Sequence, residues 1–164
     1  MSAPRVLIAG IGNVFLGDDA FGVRVLRELE AHPLPADVRR QDFGIRGYDL
    51  AVELLRGYER VILVDAARGG GPPGTLYTID PTADAEAPAE VAEPHGLAPA
   101  KVLRLARELG ARWGDVRVVG CEPASFEPDP DGRLTPAVEA AVAPAVRLIC
   151  GLAEGGPAAE AGHA

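Results

Sequence analysis

The stretch that most constrains the fold is residues 6–23, VLIAGIGNVFLGDDAFGV. Its first four residues form an unbroken apolar run, which is typical of a central parallel strand covered on both faces. Gly10 and Gly12 then allow the backbone to turn sharply and to approach a bound group closely. Two adjacent aspartates, Asp18 and Asp19, precede a helical pattern of apolar residues. The stretch therefore predicts a sheet whose first strand delivers two carboxylates to its C-terminal edge.

Further apolar runs alternate with helical patterns along the rest of the chain. The clearest is RVILV, residues 60–64, which predicts a second buried strand with Asp65 at its end. The run at 76–79 is expected nearer the edge of the sheet, and Pro144 is expected to kink the final helix. The predicted strands are 5–9, 38–43, 60–64, 76–79 and 116–119, and the predicted helices are 19–31, 47–55, 98–109 and one that begins near 135 and includes 138–149.

This alternation predicts an α/β fold. We expect a single-domain, three-layer sandwich with a mainly parallel, twisted sheet and helices on both faces. The 164 residues suffice for one domain with a proper core, which we place at residues 1–153. Residues 154–164 are expected to form a disordered tail. Residues 80–94, rich in proline, alanine and acidic residues, are expected to form a mobile surface loop beside His95.

Charge and apolar patterning disfavour several classes of protein. The formal net charge of -8 argues against nucleic acid and anionic membranes as partners. The N-terminal apolar run is too short for a secretory signal, and no run approaches the roughly 18 apolar residues that a membrane span needs. Cys121 and Cys150 form no CxxC pair, so we expect two buried, reduced thiols. These observations predict a cytoplasmic protein.

Three carboxylates and one histidine are expected near the sheet edge at which open α/β folds bind ligands. Asp18 and Asp19 follow the first strand, Asp65 ends the strand at 60–64, and His95 precedes a helix. Each also has a structural interpretation: a helix cap for Asp18, the helix dipole for Asp19, a hydrogen-bonding role for Asp65 and a surface position for His95. Together, carboxylates and imidazole suit a divalent transition metal with positions open to water or substrate.

Other chemistries fit the sequence less well. The turn from Gly10 to Gly12 suggests dinucleotide binding, but that fingerprint then needs glycine or alanine where this chain has Phe15. The sequence contains no Walker lysine motif. Ser125 lies in a proline-rich segment without a nucleophile-elbow motif, which disfavours a serine hydrolase.

The order of these motifs resembles that of the hydrogenase maturation endopeptidases, which process the large subunit of nickel–iron hydrogenases. The resemblance covers nearly the whole chain apart from the tail. The matching motifs are Gly10-x-Gly12-Asn13, Asp18-Asp19, Gly22-Val23-Arg24, Asp42-x-Gly44 with Gly47, Asp65 closing an apolar strand, Pro94-His95 with Gly96-Leu97, Gly120-x-x-Pro123, Glu127-Pro128 and Leu134-Thr135-Pro136.

The resemblance implies that Asp19, Asp65 and His95 contact a metal and carry catalysis. Some family members have glutamate where this chain has Asp19, whose side chain is one methylene shorter. It also implies removal of a C-terminal extension from the large-subunit precursor, with nickel supplied by the substrate's own active site and no nucleotide cofactor. The residues expected to shape the cleft and bind the substrate are Gly12, Asn13, Asp18 and Gly44.

Alternatives remain open on the sequence alone. The chain is also compatible with a nickel-checking or chaperone module that binds the same precursor without cutting it. A Rossmann-like nucleotide-binding domain is a second alternative, against which the broken glycine fingerprint already counts. A family relative that acts on a different protein substrate is a third. The sequence does not decide which carboxylate, if any, acts as a general base.

Overall fold

The computed structural model describes residues 4–81 and 98–155, in which five strands and four α-helices alternate. A 3-10 turn, Gly17–Ala20, precedes the first helix and is called the aspartate turn below; a second, Leu54–Arg56, follows the second helix. The predicted tail, the loop at 80–94 and His95 fall wholly or largely outside the described residues. The strands are β1 Val6–Ile11, β2 Val38–Gly44, β3 Arg60–Ala66, β4 Leu76–Ile79 and β5 Asp115–Cys121, and the helices are α1 Phe21–Leu29, α2 Gly47–Glu53, α3 Pro99–Glu108 and α4 Pro136–Ala153.

The five strands form one sheet in the order β2-β1-β3-β5-β4. The first four strands in that order run parallel to one another, and β4 pairs antiparallel with β5 at the edge. The α/β fold with a mainly parallel sheet is therefore confirmed, as is the edge position predicted for residues 76–79. The order also places β1 and β3, the two most apolar predicted strands, side by side at the centre.

Helices cover both faces of the sheet, which gives the three predicted layers. Side chains alternate along β3, so that Ile62 and Val64 belong to a core with α1 and α4, whereas Val61 and Leu63 belong to a core with α2 and α3. Because both faces of β1 and β3 are covered, every position favours an apolar residue. This double burial explains the continuous apolar runs in the sequence.

The ends of several strands and of the first helix differ from their predicted positions. β1, β3 and β5 continue two residues beyond the predicted ends at 9, 64 and 119. Gly10, predicted to turn, is a strand residue because a helix packs on it: an added Cβ would lie 2.6 Å from the carbonyl oxygen of Gly22. The helix predicted at 19–31 divides into the aspartate turn and α1, and α1 ends at Leu29.

Helix α4 corrects the expectation that no stretch is long and apolar enough to span a membrane. It contains Pro144, and the kink expected there stays a prediction. It is also 18 residues long with a mean hydropathy of 1.5, so by length and composition alone it could span a membrane. Eight of its residues are buried against the rest of the molecule, however, as in the core helix of a soluble domain.

Candidate active site

Asp65 lies at the C-terminal edge of the sheet, one residue before the end of β3. β1 and β3 are parallel neighbours, with Gly10 beside Val64, so both strands end at this edge. Asp65 is buried, and its Oδ1 accepts a hydrogen bond of 2.8 Å from the backbone N–H of Ala66. β3 therefore presents a buried carboxylate next to the end of β1.

Asp19 reaches the same edge from the aspartate turn, which follows β1. Its Oδ2 accepts a hydrogen bond of 2.9 Å from the backbone N–H of Asn13, two residues past the end of β1. Asp19 is also buried, and its turn contacts β3. The structure thus brings two of the predicted metal ligands, Asp19 and Asp65, to one edge of two adjacent strands.

Two glycines permit the close packing of this region. Gly12 has a φ angle of +136°, and a Cβ there would lie 1.9 Å from the carbonyl oxygen of Asp19. Gly22 is the second residue of α1, and an added Cβ there would lie 2.2 Å from the carbonyl oxygen of Val64. A side chain at either position would displace backbone atoms. The glycines therefore allow the aspartate turn and α1 to rest directly on the strand ends.

Asp18 has a different environment from its neighbour Asp19. It is fully buried, and its carboxylate accepts hydrogen bonds from the backbone N–H groups of Ala124 (2.7 Å), Ser125 (3.1 Å) and Thr135 (2.8 Å). The hydroxyl of Thr135 also donates, at 2.8 Å to Oδ2. Neither the aspartate turn nor α1 has a side-chain cap, so Asp18 is not the N-cap that its position suggested. It instead joins this turn to the loop after β5 and to the start of α4.

The other residues expected to bind substrate share a groove beside Asp19. The groove has a volume of about 300 Å³ and lies between residues 12–15 and residues 42–46. The backbone N–H of Gly12 donates to the carbonyl oxygen of Gly44 at 3.0 Å, which holds the two segments together. Gly12, Asn13 and Gly44 line this groove, whereas Asp18 does not. Substrate binding by these residues stays a prediction.

His95 lies outside the described residues, so its place at this edge stays a prediction. Within residues 4–81 and 98–155, no three His, Cys, Asp or Glu side chains form a group able to hold a metal ion. Asp19 and Asp65 supply two carboxylates, and an imidazole would complete a mixed set of ligands that suits a divalent transition metal. The described residues thus fit such a metal in the chemistry of their donors.

Both cysteines are free thiols. Cys121 is buried at the end of β5, and burial raises the pKa of its thiol to about 12, so it is protonated at neutral pH and is no nucleophile. Cys150 is only half-buried on α4, because its side chain lies at the margin of the core to which its neighbour Ile149 belongs. The prediction of two buried thiols is therefore correct for Cys121 alone.

Glu122 is a buried acid that the sequence analysis did not single out. Its Oε1 accepts hydrogen bonds from the backbone N–H of Gly69 (2.8 Å) and from the hydroxyl of Tyr77 (2.7 Å). Burial raises the pKa of Glu122, but hydrogen bonds from Tyr77 and the backbone of residues 69–71 outweigh it and leave the pKa below its usual value. Glu122 thereby fixes the loop that follows Asp65. The run of three glycines was the available signal, since closely spaced backbone donors readily surround a buried acid.

Comparison with known proteins identifies relatives that align with most of this chain. The sequence model of the hydrogenase maturation protease family matches residues 23–152. The hydrogenase expression/formation protein HupD of Rhodobacter capsulatus is 40% identical over 151 residues, covering 88% of this chain and 71% of that protein. The hydrogenase 2 maturation protease of Escherichia coli K12 is 35% identical over 158 residues, covering 93% of each.

Solved structures agree with the sequence comparison. The hydrogenase maturating endopeptidase HybD from E. coli superposes with a TM-score of 0.77 at 33% identity, over 92% of this chain and 94% of that chain. The NiFe hydrogenase maturation protease HycI from Thermococcus kodakarensis gives a TM-score of 0.73 at 26% identity, over 92% and 93%. These matches confirm the family expected from the motifs and do not favour the nucleotide-binding or non-catalytic alternatives. The chain belongs to the hydrogenase maturation protease family.

Proposed function

We propose that this protease removes a C-terminal extension from the precursor of a nickel–iron hydrogenase large subunit once nickel has been inserted. The observation that carries the proposal is the delivery of Asp19 and Asp65 to one edge of adjacent strands, where Asn13, which holds the Asp19 carboxylate, also lines a groove of about 300 Å³. Membership of the family supports the reaction class, and the names of its relatives support a hydrogenase as the partner.

Nickel enters the proposal as part of the substrate. The metal bound in the precursor would be contacted by Asp19, Asp65 and His95, because carboxylate oxygens and imidazole nitrogen suit a divalent transition metal. Recognition of the loaded metal would then restrict cleavage to finished precursors. Nickel would supply Lewis-acid polarisation at the scissile peptide.

The residues of this chain hold the substrate in place. Asp19 is oriented by the backbone N–H of Asn13, so its carboxylate is fixed before the substrate arrives. The groove lined by Gly12, Asn13 and Gly44 would hold the extended segment next to the cut. A carboxylate at this edge is also suited to accept a proton from water.

The compartment proposed for the reaction is the cytoplasm. Cys121 and Cys150 are both free thiols, as is usual for proteins in a reducing environment. The net charge of -8 supports a protein partner over nucleic acid.

The test is mass spectrometry of a purified large-subunit precursor, nickel-loaded or nickel-free, with and without this protein. We expect loss of a C-terminal peptide in the loaded sample alone. Cleavage of both samples would support a protease whose action does not depend on nickel in the precursor. Tight binding of the cognate loaded precursor without cleavage would overturn the proposal in favour of a binding module.

A further inference from the structure

Large apolar side chains are exposed on one flank of the molecule. Among the described residues, six such side chains are between 46% and 68% exposed, and five of them belong to two segments that meet at the groove. The sixth, Leu109, follows α3 and belongs to neither segment. We call the group of five the apolar strip; its members are Phe15, Ile45, Tyr48, Val52 and Leu55.

Helix α2 and the 3-10 turn that follows it carry three of the five members and are apolar on two opposite sides. Leu50, Ala51 and Leu54 face the core and are fully buried. Tyr48, Val52 and Leu55, spaced by four and three residues, form the opposite, exposed face. Surface helices normally place polar residues on that face, whereas here three large apolar side chains accompany the exposed Asp49. The pattern indicates that α2 is covered by a partner at some stage.

The strip begins beside the candidate active site. Phe15 and Ile45 both line the groove whose wall includes Asn13, the residue that holds the Asp19 carboxylate. Ile45 lies two residues before α2, so the apolar surface continues from the groove onto the helix. A polypeptide cut at Asp19 and Asp65 would lie next to this groove, so the strip continues the surface on which we expect the substrate to bind.

Charges around the strip are neutralised within the protein. Arg46 pairs with Asp49 at 3.6 Å, and Glu53 pairs with Arg39 at 3.0 Å and with Arg56 at 3.1 Å. A chain with a net charge of -8 therefore presents an apolar surface here that lacks a strong field of either sign. Such a surface fits an apolar patch on a protein and not a basic or acidic partner.

The area of the strip indicates a transient partner. A buried aromatic side chain contributes about 150–250 Å², so five partly exposed side chains offer roughly 500 Å². A stable interface buries about 800 Å² on each partner. The strip is thus too small to hold two copies of this chain together on its own, but it suits an enzyme that must release its product.

We propose that the apolar strip is the docking surface for an apolar patch on the folded body of the hydrogenase large-subunit precursor. Docking there places the C-terminal segment of the precursor in the groove beside Asp19. This inference rests on the function proposed above, which it deepens by separating recognition of the folded precursor from recognition of the cut site.

The test compares Val52→Glu with the matched control Leu109→Glu, which adds the same charge at the exposed residue outside the strip. Affinity for purified nickel-loaded precursor is measured by biolayer interferometry, and processing is measured as KM and kcat. We expect Val52→Glu to weaken binding and raise KM at least tenfold with kcat within twofold, and Leu109→Glu to change neither. The milder variant Tyr48→Ala should raise KM in the same direction, and an unchanged thermal midpoint excludes misfolding.

The possible outcomes separate the two proposals. Unchanged affinity and KM for Val52→Glu would overturn the docking surface while leaving the protease assignment intact. Binding without cleavage by the wild type, weakened by Val52→Glu, would support the docking surface and overturn the protease. A wild-type dimer that Val52→Glu converts into a monomer, as measured by light scattering, would assign the strip to a second copy of this chain and overturn the proposal.

Discussion

The carboxylate of Asp18 accepts hydrogen bonds from both the backbone N–H and the hydroxyl of Thr135, which lies 117 positions later in the chain. Thr135 precedes α4, so this contact joins the segment that carries Asp19 to the last helix of the domain. The backbone N–H groups of Ala124 and Ser125 also donate to it, so three of the groups around the carboxylate are backbone donors that cannot accept. Of the paired aspartates, one is therefore an internal anchor and the other is directed to the sheet edge.

Replacement of Asp18 by asparagine tests this anchor. Asparagine has the same shape, but its NH₂ group would face donors where an oxygen now accepts, so at least one buried backbone N–H would lose its partner. We expect Asp18→Asn to lower the free energy of unfolding by about 3 kcal/mol, as measured by urea denaturation. Asp131→Asn is the control, because Asp131 pairs with Arg133 at the exposed surface and should cost less than about 0.5 kcal/mol. Equal stability of the two variants would contradict the anchoring role.

Replacement of Gly12 by alanine tests the close approach to Asp19. The added Cβ would lie 1.9 Å from the Asp19 carbonyl oxygen, so the aspartate turn must move. We expect Gly12→Ala to reduce processing at least tenfold and to lower the thermal midpoint. Gly57→Ala is the control: Gly57 also has a positive φ angle, +80°, but an added Cβ would meet nothing within 4 Å. Gly57→Ala should therefore lower stability by about 1 kcal/mol and leave processing unchanged, and equal losses of activity would contradict the steric explanation.

The order of elements and the sheet edge that carries the site could be predicted from the sequence. The reason is that double burial favours apolar residues along the central part of β1 and β3. Asp65 directly follows one of these apolar runs, and Asp18 and Asp19 follow the other after a short loop. Strand ends were less predictable. Glycine is typical of turns, but Gly10 lies within β1, where a helix packs closely on it. Local composition therefore located the site but not the last residues of its strands.

Contacts between distant segments could not be predicted. Asp18 was interpreted as a helix cap because its position near α1 is local information, whereas its hydrogen-bond donors lie more than a hundred residues later. Glu122 was overlooked for the same reason, since its partners Gly69 and Tyr77 come from the segment after β3. A buried acid and the backbone groups that donate hydrogen bonds to it have no characteristic separation in a sequence.

The pKa of Glu122 predicts how acid affects stability. Hydrogen bonds from Tyr77 and from the backbone of residues 69–71 hold this pKa below its usual value, despite the opposing effect of burial. The folded protein therefore binds a proton at Glu122 less readily than the unfolded chain. The resulting stability is complete above the unfolded-state pKa and is lost as the pH falls through the lower folded-state pKa.

We therefore expect Glu122→Gln to be less stable than the wild type at neutral pH, with the gap narrowing between about pH 5 and pH 3. The measurement is urea denaturation of both proteins across this range. The control is Glu127→Gln, which changes an exposed carboxylate in the same loop. Its stability should match that of the wild type across this pH range. A gap between wild type and Glu122→Gln that stays constant with pH would contradict the role of the ionised carboxylate.

The metal-contact assignment predicts that three single substitutions abolish processing. Asp19→Asn and Asp65→Asn remove a charge from the sheet edge, and His95→Ala removes the imidazole. Each should reduce cleavage of the nickel-loaded precursor at least a hundredfold, because a metal contact is lost. Processing is followed by mass spectrometry of the precursor, and folding by circular dichroism and the thermal midpoint.

His95→Ala is the sharpest of these variants, and His32 supplies its matched control. His32 follows α1 and makes hydrogen bonds through its backbone: its N–H donates to the carbonyl oxygen of Leu29 at 3.0 Å, and its carbonyl oxygen accepts from Arg40 at 2.8 Å. His32→Ala should therefore process the precursor at the wild-type rate. We expect His95→Ala to keep the wild-type thermal midpoint and still bind the precursor through the apolar strip, while cleavage stops. Normal processing by His95→Ala would contradict the assignment of His95 as a metal contact. The chemistry would then depend on the carboxylates of Asp19 and Asp65.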